Sequence, residues 1–453
     1  MTSNTSLRRR STLAAAWAGS GHVTGQLLRL AANLVLARLL MPEAFGIMSV
    51  IAALMAALYL FSDIGTSISV VQSKRGTDKD FLNTAWTLQV IRGVILWLAG
   101  STISLLIGLG QSLHWFKEGT VYADARLPPL LAVACLATIL GGLASINISL
   151  AERQMNLKRL TLIELLSQAF GAMVMVVGAW ITGSIWFLVI GNLAQGVLRT
   201  SLSHAVLHGT RARLRLEGPA VRELLGTAKW ILLSSVLGFI AANGDRFLLG
   251  GIIDSATMGI YSIALGLAGI VASSISMLYS KVVFPSLSEV VRSHSAELGR
   301  VYQKFQAIAD IAIGTLAGFL FMMSHLVVDV LYDDRYLLAG HVFAVLCIGS
   351  LGERFRVVEQ MYLALGRTSL VAYSMAPRVI VLGLGVPLGH ASWGLDGALA
   401  AIVLSQFSHW PLAIWFRSTL GLNRFMRDGV LLLALGAGLG AGWCAQALLL
   451  ALR

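Results

Sequence analysis

Six arginines lie well inside long apolar stretches of the sequence: Arg29, Arg92, Arg246, Arg354, Arg356 and Arg378. A central arginine in a membrane-spanning helix costs about 2.5–3.5 kcal/mol when it faces lipid. Six would cost about 18 kcal/mol, which exceeds the usual protein stability of about 5–15 kcal/mol. The side chains must therefore face protein, water or one another. A guanidinium binds phosphate oxygens as a planar fork, so a phosphate-bearing anion is one candidate partner for those that face water.

The first apolar stretch shows how such a site is built. His22, Gln26, Arg29 and Asn33 follow a spacing of i, i+4, i+7 and i+11, which places them on one helical stripe. The stripe predicts either the wall of a wet cavity or a hydrogen-bonded seam between helices. In the first case Gln26 and Asn33, with Gln360 elsewhere, would hydrogen-bond a bound ligand.

The stretch around residue 355 is the most polar. It contains Glu353, Arg354, Arg356, Glu359 and Gln360 within eight residues. Glu353, Arg356 and Gln360 share a helix face, so that Glu353 and Arg356 are either an internal ion pair or part of the site. Arg354 points about 100° away from Glu353 and needs another partner, for which a substrate phosphate is one candidate.

Other charged residues fall into two groups. Asp63 and Asp245 are expected to neutralise arginines of other helices. Glu353 and Glu359 are expected either to form ion pairs or to couple transport to its driving force. Arg92 and Arg378 lie nearer the ends of their stretches, where they either snorkel to the interface or guide an anion inward. Three further residues are expected at the interface: Glu164, Lys281 and Asp310.

Composition identifies the elements that position these residues. The 453 residues are 57% hydrophobic and 12% charged, about half the charge of a soluble domain, which is typical of a multi-pass helical membrane protein. Thirteen stretches are long enough to span a bilayer. They are 13–38, 45–71, 84–109, 128–150, 160–181, 185–207, 228–250, 259–284, 305–331, 340–364, 369–390, 394–416 and 428–450.

The basic residues orient these spans. With the N-terminus in the cytoplasm, nearly all loop lysines and arginines fall on the cytoplasmic side, as the positive-inside rule requires. The net charge of +12 is therefore a topology signal, and no nucleic-acid partner is expected. The three cysteines stand alone without metal-ligand spacing, so that neither a metal site nor a cofactor is predicted.

An internal repeat divides the chain. Residues around Trp17, Gly25 and Gly46 match those around Trp230, Gly238 and Gly259. Because six spans separate the copies, both enter the membrane from the same side, as parallel repeats do. The predicted organisation is an all-α fold with a six-helix bundle over 1–207, a cytoplasmic linker over 208–227, a second bundle over 228–416 and an additional helix in 417–453.

Three motifs resemble bacterial polysaccharide flippases, a branch of the multidrug/oligosaccharidyl-lipid/polysaccharide exporter superfamily. They are Leu36-Ala37-Arg38-Leu39-Leu40-Met41-Pro42-Glu43-Ala44-Phe45-Gly46, Asn243-Gly244-Asp245-Arg246-Phe247-Leu248-Leu249-Gly250 followed by Gly259-Ile260-Tyr261-Ser262, and Phe284-Pro285-Ser286-Leu287-Ser288. The resemblance implies two six-helix bundles in a V within the bacterial inner membrane. It also implies alternating access, export of a polyprenyl-diphosphate-linked oligosaccharide to the periplasmic leaflet, and contact with membrane lipid and with polymerase or export machinery.

Within that resemblance Arg29, Arg246, Arg354 and Arg356 are the expected phosphate contacts, with Arg92 and Arg378 as guides on the cytoplasmic side. Two other transporters of the superfamily remain as alternatives, a multidrug cation exporter and a peptidoglycan-precursor flippase. The deep arginines disfavour the cation exporter. An integral-membrane glycosyltransferase or polymerase is the alternative from another class, and the short outer loops disfavour it, so that no enzyme is predicted.

Overall fold

The computed structural model describes residues 2–61, 70, 73, 75–154, 156–207, 209–210, 212–226, 228–293, 297–419 and 425–452. These residues form helices joined by short loops, and none of them belongs to a β-strand of a sheet. The chain divides into two compact units. Unit 1 comprises Met1–Glu118 and Tyr122–Val236, and unit 2 comprises Gly119–Val121 and Leu237–Arg453.

The helices of unit 1 follow the first six predicted spans and the linker. They are α1 (Thr2–Leu39), α2 (Pro42–Phe61), α3 (Lys79–Ser112), α4 (Leu127–Ala134), α5 (Leu136–Leu143), α6 (Asn147–Arg153), α7 (Leu157–Thr182), α8 (Trp186–Val206) and α9 (Gly218–Gly226). The predicted span 128–150 is broken, because α4–α5 and α6 meet at an angle of 60°. Helices α7 and α8 form a hairpin whose turn uses Gly183 at φ 63°.

The helices after the linker follow the remaining spans. They are α10 (Ala228–Ile252), α11 (Ser255–Leu278), α12 (Phe284–Ser293), α13 (Leu298–Leu331), α14 (Leu337–Gly349), α15 (Arg356–Ala364), α16 (Thr368–Phe407), α17 (Trp410–Thr419) and α18 (Phe425–Leu452). A π-helical turn, Tyr279–Val283, joins α11 to α12, and a 3₁₀ turn, Ser350–Phe355, joins α14 to α15. Both irregular turns lie inside predicted spans.

The chain is a polytopic membrane protein. Eight helical segments of the described residues are long and apolar enough to span a bilayer, and the bent segment α4–α6 would make nine. One of the eight, Tyr373–Thr419, is too long for one crossing. It turns back at Trp393 and Gly394, so that Gly389 meets Gly397, as the predicted break between 390 and 394 requires.

Glycines let the last helix pack along α13. A Cβ on Gly318 would lie 2.5 Å from the carbonyl oxygen of Leu435, and one on Gly438 would lie 2.2 Å from that of Thr315. Each glycine belongs to a G-x-x-x-G pair: Gly314 precedes Gly318 in one pair, and Gly442 follows Gly438 in the other. Close backbone approach of this kind drives helix association in lipid. The additional C-terminal helix is therefore an integral part of unit 2.

The described part of the predicted linker is fixed to α3. The backbone N–H groups of Arg213, Arg215 and Glu217 donate to side-chain oxygens of Asn83, Thr87 and Thr84 at 2.8–3.0 Å. Glu217 also accepts from Arg75, which in turn pairs with Asp78 at the start of α3. The Arg75 guanidinium lowers the pKa of Asp78 below its ordinary value. The structural boundary accordingly falls after Val236, and the predicted domain limits remain a prediction.

The α13–α18 contact can be tested by overfilling it. We expect Gly438→Val to destabilise the protein by about 1–3 kcal/mol or to prevent folding, because its side chain would collide with α13 backbone. The measurement is thermal unfolding in detergent. Gly440→Val is the matched control, since a Cβ at Gly440 meets nothing within 4 Å. Equal effects of both substitutions would contradict the packing described here.

Candidate substrate cavity

Unit 1 contains an open cavity of about 690 Å³ between α1, α2, α6, α7 and α8. Its wall combines apolar side chains with an unusual number of polar ones for a membrane-spanning bundle. The polar and charged lining residues are His22, Arg29, Asn33, Glu152, Thr161, Glu164, Gln168, Asn192, Gln195 and Arg199. Helices α1 and α8 are absent from the apolar spanning segments of the described chain, which agrees with their role as polar walls.

Arg29 is an exposed cation in the wall of this cavity. Among the described residues it has no hydrogen-bond or ion-pair partner. Asn33 and His22 lie on the same wall, and the buried Nε2 atom of His22 also has no hydrogen-bond partner in the described structure. The predicted stripe therefore lies on a cavity with its charge available to a ligand.

Gln26 differs from its neighbours on the stripe. The α1 residues of the wall run from Gly21 to Leu36, and Gln26 is not one of them. At 100° per residue, Gln26 falls just beyond the edge of the arc that these residues cover. Gln26 has an interaction with another part of the protein. Its role as a ligand contact stays a prediction.

Helices α7 and α8 supply the opposite wall, which the sequence analysis missed. Arg199 and Glu164 form an ion pair, Nε to Oε2, at 2.9 Å, with both side chains about half exposed. Asn192, Gln195 and Arg199 follow the spacing i, i+3 and i+7, and Glu164 and Gln168 are four residues apart. The same helical-stripe rule that selects Arg29 would have selected them. Glu164, expected at the interface, lies in the cavity wall.

Small residues bring the two walls together. A Cβ on Gly21 would lie 2.3 Å from the methyl carbon of Thr161, so that α1 and α7 are in van der Waals contact through the glycine. One turn further, the amide of Gln168 donates to the carbonyl oxygen of Gly25 at 3.1 Å. Gly21 and Gly25 thus fix the position of α1, and with it that of Arg29.

Arg354 has an internal partner in unit 2. Its Nε and Nη2 atoms donate to the two carboxylate oxygens of Asp310 at 3.0 and 2.8 Å, and the two residues are 4% and 1% exposed. Gln306 donates to the same carboxylate, and the guanidinium lies 4.7 Å from the ring centroid of Phe355. Asp310 was expected at the interface, but it is buried and neutralises Arg354. A substrate phosphate is not required for that charge.

Side chains from other segments donate to three backbone carbonyl oxygens of the 3₁₀ turn that contains Arg354. Gln306 donates to the carbonyl oxygen of Arg354 at 3.1 Å. Tyr279 and Trp410 donate to those of Glu353 and Gly352 at 3.4 Å. These side-chain donors stabilise an irregular turn in a region where a bilayer supplies no water to hydrogen-bond the backbone.

Around this turn the predicted Glu353–Arg356 ion pair is present, at 3.1 Å. The next carboxylate along the chain, Glu359, is buried and accepts a long hydrogen bond of 3.5 Å from Ser374. The positive charges of Arg356 and Arg378 interact electrostatically with the Glu359 carboxyl group. Gln360 and Arg378 are half buried, and the Nε atom of Arg378 has no hydrogen-bond partner in the described chain.

Asp245 accepts a hydrogen bond from the hydroxyl of Tyr261 in the next helix. The expected partner was an arginine of another helix, and the sequence analysis did not assign Tyr261 a contact. The neighbouring Arg246 donates to Asn243 at 3.2 Å and is half buried. The two parts of the second sequence motif, 243–250 and 259–262, thus contact each other through Asp245 and Tyr261.

The remaining predicted site residues lie apart from the cavity wall or outside the described chain. Arg92 donates to the backbone oxygen of Tyr59 at 3.1 Å. Asp63 and the side chain of Lys281 lie outside the described residues. Within the described chain, no group of three or more His, Cys, Asp or Glu side chains is arranged to hold a metal ion.

The fold is that of solved transporters of the multidrug/oligosaccharidyl-lipid/polysaccharide (MOP) superfamily. An inward-facing multidrug resistance MATE family transporter matches with a TM-score of 0.69 at 13% identity, covering 88% of this chain and 94% of that chain. The lipid II flippase MurJ, in an inward closed conformation, matches with a TM-score of 0.69 at 12% identity, covering 94% and 91%.

The family is narrower than the fold. A model of the family described as polysaccharide biosynthesis protein matches residues 35–339, so the chain belongs to that family. The lipopolysaccharide biosynthesis protein WzxC of Escherichia coli is 22% identical over 438 residues, 92% of this chain and 86% of its own length. The teichuronic acid biosynthesis protein TuaB of Bacillus subtilis is 20% identical over 329 residues, 72% and 65% of the two lengths.

The buried Asp310–Arg354 pair generates a stability prediction. Asp310→Asn leaves the Arg354 charge without its counter-ion, which for a buried pair costs about 3–5 kcal/mol. We expect a clear loss of thermal stability in detergent. The matched control is Glu289→Gln, which breaks an exposed i, i+3 pair with Arg292 and should cost about 0–1 kcal/mol. A wild-type melting temperature for Asp310→Asn would show that the pair does not stabilise unit 2.

Proposed function

We propose that the protein is a flippase that moves a polyprenyl-diphosphate-linked oligosaccharide from the cytoplasmic to the periplasmic leaflet of the bacterial inner membrane. In this proposal the N-terminus is cytoplasmic, transport proceeds by alternating access, and polymerase or export machinery receives the product. The observation that carries the proposal is Arg29, a guanidinium exposed to a polar cavity with no internal partner in the described structure. Family membership and the transporter fold support it.

The cavity suits a head group with phosphate and sugar. Arg29 supplies a bidentate fork for phosphate oxygens. Asn33 and Gln195 line the same cavity, and both have amides that can donate to and accept from hydroxyl groups. A wet polar wall reduces the cost of carrying such groups past hydrocarbon.

The charges of the wall also bear on the cation-exporter alternative. Glu164 is neutralised by Arg199, and Glu152 has interactions of its own. The unneutralised charge at Arg29 is positive and therefore favours an anionic substrate. With a cytoplasm at negative potential, outward movement of an anion gains about 2.3 kcal/mol per charge per 100 mV.

The other predicted substrate contacts divide by their surroundings. Arg354 is proposed as a structural residue because Asp310 holds it. Arg246, Arg356, Arg378 and Gln360 in unit 2, with Arg92 and Gln26 in unit 1, remain predicted contacts. Among the predicted carboxylates, Glu353 and Glu359 remain predicted coupling residues, as do Asp63 and Asp245.

Substitution of Arg29 tests the function. In proteoliposomes that contain a fluorescent prenyl-diphosphate oligosaccharide, we expect Arg29→Ala to reduce flipping at least about tenfold, because a phosphate contact of about 1.4 kcal/mol or more is lost. Arg29→Lys should restore part of the rate, since a point charge lacks the fork.

Two controls accompany this measurement. Arg300→Ala removes an exposed arginine of α13 and should leave the rate unchanged. A cationic dye is the second substrate. Transport of the dye without transport of the lipid would show that the protein is a cation exporter, and normal flipping by Arg29→Ala would remove Arg29 from the site.

A further inference from the structure

Unit 1 contains a second cavity, of about 460 Å³, beside the first. The two share five lining residues, among them Arg199, Glu164 and Gln195. Beyond this common wall the second cavity changes character. Helices α2 and α5 line it with apolar side chains, including Ala52, Met55 and Ala137. A polar cavity and a more apolar one therefore adjoin at a wall that contains the Arg199–Glu164 ion pair.

The two adjoining cavities suit a molecule that has a charged group between a polar part and an apolar part. Because the diphosphate of a prenyl-linked sugar is bonded to both parts, a head group in the first cavity places the start of its chain near the common wall. Met48 and Met55 have flexible, polarisable side chains that adapt to an irregular apolar ligand. Arg199 lies in the common wall, and its side chain is 43% exposed.

We propose that the second cavity binds the first isoprene units of the substrate's lipid chain, and that Arg199 holds the diphosphate at the common wall. This inference rests on the proposed function and specifies where the tail enters unit 1. The resting partner of Arg199 is Glu164, and a phosphate oxygen takes the place of the Glu164 carboxylate when the substrate binds. Arg29 and Arg199 then provide two guanidinium groups for the two phosphates.

Two simple probes distinguish the contribution of the lipid chain to binding from that of the diphosphate. Purified full-length protein in nanodiscs is titrated with farnesyl diphosphate, which has three isoprene units, and with inorganic diphosphate. We expect farnesyl diphosphate to bind at least about tenfold more tightly, because the cavity buries apolar surface. Ala52→Phe, which fills the cavity, should remove most of that difference and leave inorganic diphosphate binding unchanged.

The matched control for filling is Ala57→Phe, on the same helix but outside the wall of either cavity. It should bind both probes as wild type does. Arg199→Ala should weaken both probes, whereas Arg199→Lys should restore part of the affinity. Retained binding of inorganic diphosphate reports that the two phenylalanine variants are folded, and the affinity restored by Arg199→Lys shows that the loss in Arg199→Ala is not caused by misfolding.

The outcomes distinguish the inference from the function on which it rests. Equal affinity of the two probes, or unchanged chain preference in Ala52→Phe, would overturn the tail site while the Arg29 head site stands. Failure of inorganic diphosphate to bind wild type would instead contradict the proposed phosphate site. A diazirine-bearing phospholipid that labels Met55 and is not displaced by farnesyl diphosphate would identify a resident membrane lipid as the occupant, which also overturns the inference.

Discussion

A guanidinium group inside a membrane protein must be given either a counter-ion or water, and this constraint explains the arrangement of both units. Arg354 receives a counter-ion, with Asp310 bound through both oxygens and an aromatic ring beside it. Arg29 receives an open polar cavity and no partner among the described residues. The first solution serves stability and the second leaves a charge for a ligand, so that the surroundings of each arginine indicate its role.

Irregular backbone accompanies the buried charges. The 3₁₀ turn Ser350–Phe355 contains Arg354, and the π-helical turn Tyr279–Val283 supplies Tyr279 as a donor to it. A break in a spanning helix exposes carbonyl groups that lipid cannot satisfy. The side chains of Gln306, Tyr279 and Trp410 stabilise the turn because each donates to one of its carbonyl oxygens. The residues around Arg354 in unit 2 thus form both the buried ion pair and the hydrogen bonds to the backbone of the turn.

Much of the helical architecture could be predicted from the sequence because apolar length and basic loops are local properties. The turn near residue 393 and the last helix at 428–450 were both predicted, and each predicted span overlaps a helix in the described structure. Within the site, the stripe on α1 gave Arg29 and Asn33. The stripes on α7 and α8 follow the same spacing, so the same rule predicts Arg199 and Gln195 as wall residues.

The contacts between side chains of different helices could not be predicted from the sequence. Asp310 and Arg354 are separated by 44 positions, and Asp245 meets a tyrosine rather than an arginine. Spacing along a helix fixes which residues share a face, but it does not reveal which helix packs against that face. The irregular turns were missed for the same reason, since the donors that stabilise them come from other segments of the chain.

The attachment of residues 213–217 to α3 has a consequence for how the two segments can evolve. The attachment uses main-chain N–H groups on the connecting segment and side-chain oxygens on α3. Any amino acid except proline presents the same N–H, whereas Asn83, Thr84 and Thr87 have few substitutes as acceptors. Divergence among natural variants should therefore be tolerated in the connecting segment and resisted on the helix surface that holds it.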